Sequence, residues 1–364
     1  GLILKILTVI GARPQFIKAA AISRSLNSNE YSKIDEVIVH TGQHYDDSMS
    51  QSFFKELNIP TPKYNLEVGS DSHGRQTGAI ISGLESVFEL ENPDWILVYG
   101  DTNSTLGAAL VAAKKPCRLA HVEAGLRSYR WGMPEEVNRI VTDRLSDLLF
   151  CPTKLAKENL IMEGRNKNVL VSGDVMLDNF LYYKKVINNH TVICEYDIKP
   201  KKYLLATIHR EENTDDRNKL SNILSALQNI SKKIKVILPI HPRTKKMIRK
   251  FSLSTDGIEV IGPASYLTIM ALISNARAVV TDSGGLQKES YFAKIPCLTI
   301  RDETEWIETL ENGWNKLVST DNYMDIVDNI NEVLKFDYSD VKYRRHYGSG
   351  NAAKSIIDSI VNFS

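Results

Sequence analysis

Short apolar, β-rich runs alternate with helical patterns along this whole chain, and no other feature constrains its fold as strongly. In the first half the runs fall at 2–10, 36–40, 95–99, 118–122, 147–151 and 168–172, and in the second at 203–207, 235–239, 258–261, 278–281, 296–300 and 315–319. Many of them lack strict polar–apolar alternation, which is how parallel strands read when helices cover both faces of their sheet. Two such sets imply an α/β fold with two doubly wound sheets. At 364 residues the chain is also too long for a comfortable single core. The expected division is a domain at 1–172 and a second at 173–344, with a polar, Asn- and Lys-rich seam within 173–200. A closing helical pattern near 342–362, counted as 345–364, is expected to pack back on the first domain. The binding site is expected in a central cleft between the domains.

Composition removes several classes of function. Hydrophobic residues make up 43 %, charged residues 24 % and the net charge is +1, so there is no broad electrostatic case for nucleic acid or an anionic membrane. No apolar run reaches the roughly 18–20 residues that span a bilayer. Leu2–Ile10 runs straight into a Gly-Ala-Arg-Pro turn and reads as a strand rather than a signal peptide. Cys117, Cys151, Cys194 and Cys297 are widely spaced with no CxxC pair. That pattern argues against disulfides and structural zinc and fits a cytoplasmic protein. Cys117 or Cys151 at a strand end reads either as a nucleophile or, more simply, as a small buried apolar residue.

Three carboxylates lie close together in the first half. The run 95–99 delivers Asp101 in Gly-Asp-Thr-Asn-Ser-Thr, and 118–122 delivers Glu123 in Glu-Ala-Gly-Leu-Arg-Ser. Met133-Pro134 then opens a helical pattern with Glu135, and Arg139 follows one turn on. Carboxylates just past buried strands sit where open α/β sheets place their binding crevice, and a cluster there can move protons. Within 134–150, Val137, Ile140, Val141, Leu145 and Leu148 fall at helical spacing and are expected to form a core face. Glu135 and Arg139, at i and i+4, are expected together on the opposite side. They read either as a cleft pair or as a surface ion pair of a few tenths of a kcal/mol.

Other strand ends carry anion-binding and proton-handling candidates. After the first run, Gly11 turns the chain, Pro14 sits where a helix begins, and Arg13 and Lys18 add positive charge to a helix end that attracts anions. The same segment also fits an ordinary βα turn with solvated side chains. In Thr281-Asp-Ser-Gly-Gly-Leu-Gln-Lys-Glu289, Ser283, Gly284 and Gly285 open a helix whose exposed amides can hold a diphosphate. Glu289 is placed to accept hydrogen bonds from ribose hydroxyls. The spacing is not that of the GxGxxG fingerprint, which argues against NAD. His209 and His241 each follow a run of the second domain beside an arginine, where a histidine can carry charge or shuttle protons. His-x-x-x-His spacing is absent, so no metal is expected. Gly42-Gln-His-Tyr-Asp46 would line the same rim as Gly11, either touching a ligand or bracing its loop.

Taken together, Gly11-Ala-Arg-Pro, Gly100-Asp-Thr-Asn-Ser-Thr, His121-Val-Glu-Ala-Gly-Leu-Arg, Pro134-Glu-Glu-Val-Asn-Arg, His209-Arg-Glu-Glu-Asn and Thr281-Asp-Ser-Gly-Gly-Leu-Gln-Lys-Glu resemble the non-hydrolysing UDP-N-acetylglucosamine 2-epimerase family. The motifs come in the family's order and span nearly the whole chain. The resemblance implies two Rossmann-like domains of the GT-B-like kind facing a central cleft. It implies cofactor-free inversion at C2 of a UDP sugar, and a homodimer by family analogy. It carries catalytic roles onto Asp101, Glu123, Glu135 and His209, and places Arg13 and Lys18 in the N-terminal loop. Ser283, Gly284, Gly285 and Glu289 match diphosphate and ribose contacts, and Pro263-Ala-Ser-Tyr266 matches the uracil loop, which adds Ala264 and Tyr266. Arg139 and His241 complete the expected substrate-binding set. Two departures stand out. Thr304-Glu-Trp-Ile-Glu308 places Trp306 where many members have a sugar- or phosphate-facing arginine, and Tyr45-Asp46 replaces the arginine of members activated by their own substrate.

The C2 hydrogen of such a sugar is not adjacent to a carbonyl. The route this chemistry requires breaks the anomeric C–O bond, removes the C2 proton to leave a 2-acetamidoglucal, then re-adds UDP with a proton delivered from the opposite face. It needs an acid and a base with separated pKa values and a firm grip on detached UDP. Closure of the domains would keep water from the glucal. Rival readings are a double-Rossmann glycosyltransferase, a hydrolysing epimerase, a non-catalytic sugar-nucleotide sensor, and a sister epimerase acting on a diacetamido uronic acid.

Overall fold

The computed structural model describes residues 3–44, 51–187 and 189–363. It divides into one unit of Gly1–Leu181 with Arg345–Ser364 and a second of Tyr182–Arg344.

The first unit is built on strands β1 (Leu4–Ile10), β2 (Ile34–His40), β3 (Tyr64–Asn65), β4 (Trp95–Tyr99), β5 (Arg118–Val122), β6 (Leu148–Cys151) and β7 (Val169–Val171). They form a seven-stranded sheet in the order β3-β2-β1-β4-β5-β6-β7, and every pairing is parallel. All of Trp95–Tyr99 is buried, as a central strand covered on both faces requires. β3 is only two residues long and leaves no apolar run to read. Val9, Val39, Ile96 and Val98 pack with Ile80, Leu84 and Ala108 from the covering helices.

The second unit repeats the plan with β8 (Tyr203–Thr207), β9 (Lys235–Pro239), β10 (Glu259–Ile261), β11 (Ala278–Thr281), β12 (Cys297–Thr299) and β13 (Asn315–Leu317). The order is β10-β9-β8-β11-β12-β13, again parallel throughout. One face of this sheet packs Leu204, Leu224, Val236 and Ile330, and the other packs Tyr203, Leu205, Leu272 and Val279.

Each sheet changes winding direction once. β1 is flanked by β2 and β4, and β8 by β9 and β11. Loops leaving the carboxyl ends of strands at such a switch point form the ligand crevice of open α/β sheets. Those loops are Gly11–Pro14 and Gly100–Thr102 in the first unit, and Ile208–Arg210 and Asp282–Gly284 in the second.

The closing helix belongs to the first unit and spans Ala352–Phe363, not the expected 342–362. Gly348 and Gly350 both sit at φ +88°, in the left-handed region, so no helix can run through them. Its first amides, Ala352 N and Ala353 N, donate to the Asp178 carboxylate at 3.1 and 2.8 Å. Among the described residues no helix is long and apolar enough to cross a membrane.

Candidate functional site

In the first unit the loops after β1 and β4 are stitched by buried amide side chains. Gly11 N donates to Gln15 Oε1 at 2.8 Å, while Gln15 Nε2 donates to the Tyr99 carbonyl at 2.8 Å and Thr102 Oγ1 at 2.9 Å. Gln43 Oε1 accepts from Ser104 N and Oγ at 2.9 and 2.6 Å, so of the two readings offered for Gly42–Asp46 this side chain takes the bracing one. Tyr45 and Asp46 lie outside the described residues. The helix Arg13–Leu26 begins on the β1 turn, with Pro14 in its first positions. Arg13 is half-buried, its guanidinium 5.3 Å from the Phe53 ring centroid.

Lys18, Asp101, Glu123 and Arg139 come together at these strand ends. Lys18 Nζ lies 2.8 Å from Glu123 Oε1. Arg139 donates to Asp101 Oδ2 through Nε at 3.1 Å and Nη2 at 2.7 Å. Glu123 is aimed by a backbone at φ +71°, a conformation that costs a non-glycine residue about 1–3 kcal/mol and clusters at functional sites. Burial pushes the Asp101 carboxyl above its usual range, and Arg139 and Lys18 only partly offset it. Burial acts against the Lys18 charge too, but Glu123 and then Asp101 outweigh it and hold the ammonium above its ordinary range. Both carboxylates are thus ion-paired, Glu123 to Lys18 and Asp101 to Arg139, and burial still holds Asp101 above its usual range.

The helix Pro134–Leu145 corrects the sequence reading. Its buried residues are Glu136, Asn138, Arg139, Thr142 and Asp143, while Val137 is exposed and Ile140 and Val141 are half-buried. The polar face points inward because most of its members hold loops. Glu136 accepts from Ser128 N, Tyr129 N and Arg139 Nη1, and Asn138 Nδ2 donates to the Asp101 carbonyl at 2.9 Å. Arg139 is thus paired with Asp101 and Glu136, and Glu135 stands exposed in the first turn. Sequence reasoning missed Glu136 and Asp143, because an apolar period was the only signal used to orient the helix.

In the second unit, Asp282 is the organising residue that sequence reasoning missed. Fully buried just past β11, it accepts from His209 Nδ1 at 2.8 Å, from His209 N and Arg210 N, and from Asn213 Nδ2. Burial would raise its pKa, but the histidine and the amides outweigh it and hold the carboxyl below its usual range. Its signal was a carboxylate just past the apolar run 278–280. The His209 side chain remains 41 % exposed, and its ring lies 5.9 Å from that of His241. His241 caps the helix Pro242–Lys250, accepting from Arg243 N at 3.1 Å. Arg243 itself turns to Glu211 and Asp215.

Ser283 caps the helix Gly284–Phe292, accepting from Leu286 N at 3.3 Å. A Cβ on Gly284 would meet Glu305 Oε1 at 2.6 Å, whereas one on Gly285 would find nothing nearer than Ser283 Oγ at 3.8 Å. The amide end at Gly285 is therefore open to an approaching anion. Glu289 is buried and accepts from Tyr266 OH at 2.9 Å, which joins the expected ribose contact to the loop holding Ala264. Trp306 is 3 % exposed, with Lys288 Nζ 3.6 Å from its ring centroid, and its Nε1 would lie 3.9 Å from a Cβ on Gly284. Burial raises the Cys117 thiol to about 11 and pushes the Cys151 thiol above the ordinary range, so neither is a ready thiolate nucleophile. Among the described residues no three His, Cys, Asp or Glu side chains converge as a metal site.

A family model described as UDP-N-acetylglucosamine 2-epimerase matches residues 26–361. The chain is 46 % identical to a Methanococcus maripaludis protein named as a UDP-N-acetylglucosamine 2-epimerase homolog, over 99 % of this chain and 100 % of that one. It is 44 % identical to the UDP-2,3-diacetamido-2,3-dideoxy-D-glucuronate 2-epimerase of Pseudomonas aeruginosa, over 98 % of this chain and 99 % of the relative. The crystal structure of Methanocaldococcus jannaschii UDP-GlcNAc 2-epimerase in complex with UDP-GlcNAc and UDP is similar at a TM-score of 0.87 and 41 % identity, covering 99 % of both chains.

Proposed function

The chain belongs to the UDP-N-acetylglucosamine 2-epimerase family, and from that premise we propose that it interconverts UDP-N-acetylglucosamine and UDP-N-acetylmannosamine by elimination and re-addition of UDP. The observation that carries this reading is the pair of strand-end carboxylates on different cations, Glu123 on Lys18 and Asp101 on Arg139, with burial raising Asp101. Acid–base chemistry on two faces of one carbon needs such a separation.

Glu123, ion-paired with Lys18, takes the C2 proton. The C2–H electrons form the C1=C2 double bond of the 2-acetamidoglucal as the anomeric C–O bond breaks and UDP leaves with its electron pair. On return, a UDP oxygen attacks C1 and C2 takes a proton from the Asp101 carboxyl on the opposite face. Arg139 orients Asp101, and Glu135 in the adjacent helical turn exchanges protons with solvent to reset the pair. Arg13 adds positive charge at the end of β1. In the second unit the amide end at Ser283, Gly284 and Gly285 carries the diphosphate. Glu289 binds the ribose, Ala264 and Tyr266 the uracil, and His209 and His241 steady the departing phosphate.

Epimerisation in D₂O is expected to place deuterium at C2 in both sugars, and unlabelled product would sink the elimination route. Asp101→Asn and Glu123→Gln should each lower turnover by roughly 10²–10⁴-fold. The 44 % identity to the Pseudomonas aeruginosa enzyme favours a second reading, in which the sugar is a diacetamido uronic acid. Incubating the protein with each UDP sugar alone and following C2 by NMR separates the two readings.

A further inference from the structure

His121 lies in β5, between the two carboxylates, and is fully buried. Its Nδ1 is 2.6 Å from Asp143 Oδ1 and its Nε2 is 2.7 Å from the Gly100 carbonyl oxygen. A backbone carbonyl can only accept, so Nε2 must carry a proton. Asp143 Oδ2 already accepts from Arg127 Nη1 at 2.8 Å and Gly125 N at 3.1 Å. Burial opposes the Asp143 charge, but His121 and Arg127 outweigh it and keep this carboxyl below its usual range. Nδ1 faces the other oxygen of this carboxylate, so both ring nitrogens are held. Arg127 is paired bidentately with Glu163 at 2.7 Å on each arm, and burial keeps the nearby Cys151 thiol neutral.

We propose that His121 is a positioning residue for Asp101: a buried ring, held on Nδ1 by Asp143, whose Nε2–H clamps the Gly100 carbonyl one peptide before the reacting carboxylate. The clamp acts where the backbone has most freedom to turn, since Gly100 sits at φ +67°. Gly100 N donates to the Val122 carbonyl at 3.1 Å and Asn138 Nδ2 to the Asp101 carbonyl at 2.9 Å, so both peptide groups around Asp101 are pinned. Misplacing a reacting group by about 1 Å can cost on the order of 10²-fold in rate, and that is the scale on which the clamp works.

The test uses the full chain labelled with ¹⁵N-histidine, in a long-range ¹H–¹⁵N correlation. His121 Nε2 is expected to carry the proton given to the Gly100 carbonyl, assigned by its loss in His121→Asn. Asp143→Asn should leave that proton in place, because its amide NH₂ turns toward Nδ1 and fixes it as the acceptor. A wild-type spectrum with an unprotonated His121 Nε2 overturns the proposal. The kinetic arm rests on the proposed epimerisation. Folded His121→Asn should lose about 10–10²-fold in kcat with KM changed less than about threefold, since the shorter amide cannot reach Gly100. A folded variant with unchanged kcat overturns the positioning role, and should it fail to fold, the wild-type spectrum decides alone. A wild-type protein inactive on both UDP sugars would overturn the proposed function only, with the nitrogen spectrum still deciding the clamp.

Discussion

Each unit contains a histidine whose Nδ1 meets a buried aspartate, and the two pairs are chemically alike but placed differently. His121 meets Asp143 at 2.6 Å in the first unit, and His209 meets Asp282 at 2.8 Å in the second. The His121 side chain is 0 % exposed and its Nε2 ends on a backbone carbonyl, whereas the His209 side chain is 41 % exposed and lies beside the His241 ring. The pair motif therefore does not decide the job; the surroundings of Nε2 do. A ring closed on both nitrogens is a brace, and a ring open on one side can reach a ligand.

The largest expected effect tests that difference directly. Asp282→Asn should disorient His209 and remove its counter-charge, lowering turnover on the order of 10²–10⁴-fold, as losing the orienting member of an acid–base unit does. Asp143→Asn should lower turnover less than about tenfold, because the surviving tautomer still clamps Gly100. Steady-state C2 epimerisation of the two variants, at matched melting temperature, makes the comparison. Equal losses would break it and make both histidines participants of one kind.

A second contrast concerns glycines at the two switch points. A Cβ on Gly11 would lie 2.2 Å from both Ser104 Oγ and Thr41 Oγ1, a pair that is itself hydrogen-bonded at 2.7 Å. Gly11→Ala should therefore cost about 1–3 kcal/mol of stability through overpacking. Gly285 has open space, so Gly285→Ala should change stability by no more than about 0.5 kcal/mol. Its cost should appear as a raised KM for the UDP sugar. Urea unfolding and initial rates on the two variants separate a glycine required by packing from one required by a ligand.

These contrasts also explain what the amino-acid pattern could and could not reveal. The parallel sheets were legible because buried strands read as apolar runs, and Asp101 and Glu123 were legible because they interrupt the chain directly after such runs. β3 was not, since two residues make no pattern. The orientation of Pro134–Leu145 was misread because helical period assumes that the apolar face is the buried one. Here Glu136, Arg139 and Asp143 are buried to hold loops distant in sequence, and such partners are fixed only by the tertiary fold. Asp143 escaped for the same reason, since a supporting carboxylate is recognised by what it touches, whereas Asp282 stood just past an apolar run and was passed over for Ser283 and the glycines. Trp306 was read by analogy as replacing an arginine of other members, and its packing against Lys288 is a tertiary fact.

The smallest effect isolates what the histidines contribute to their aspartates. Asp178 is a partly buried carboxylate that accepts from two backbone amides, Ala352 N and Ala353 N, at the start of the closing helix, and the charged groups acting on it among the described residues are Asp174 and Arg24 rather than a histidine. Burial wins there and the carboxyl is pushed up to about 6, whereas Asp143 and Asp282 are held below their usual range. Its folded pKa exceeds its unfolded one, so the folded chain binds this proton more tightly. The ionisation penalty is absent below about pH 4, grows as pH rises, and is fully present above about 6. Asp178→Asn keeps an acceptor for the helix end and removes the ionisation. The wild type should lose about 1–2 kcal/mol relative to this variant between pH 4 and 7. Carboxylates with lowered pKa values have the opposite slope and cancel in the difference. Parallel unfolding curves at the two pH values measure it, and a difference that grows toward acid would mean that the two helix amides alone suffice to hold a buried carboxylate ionised, leaving the histidines with no special part in charging Asp143 and Asp282.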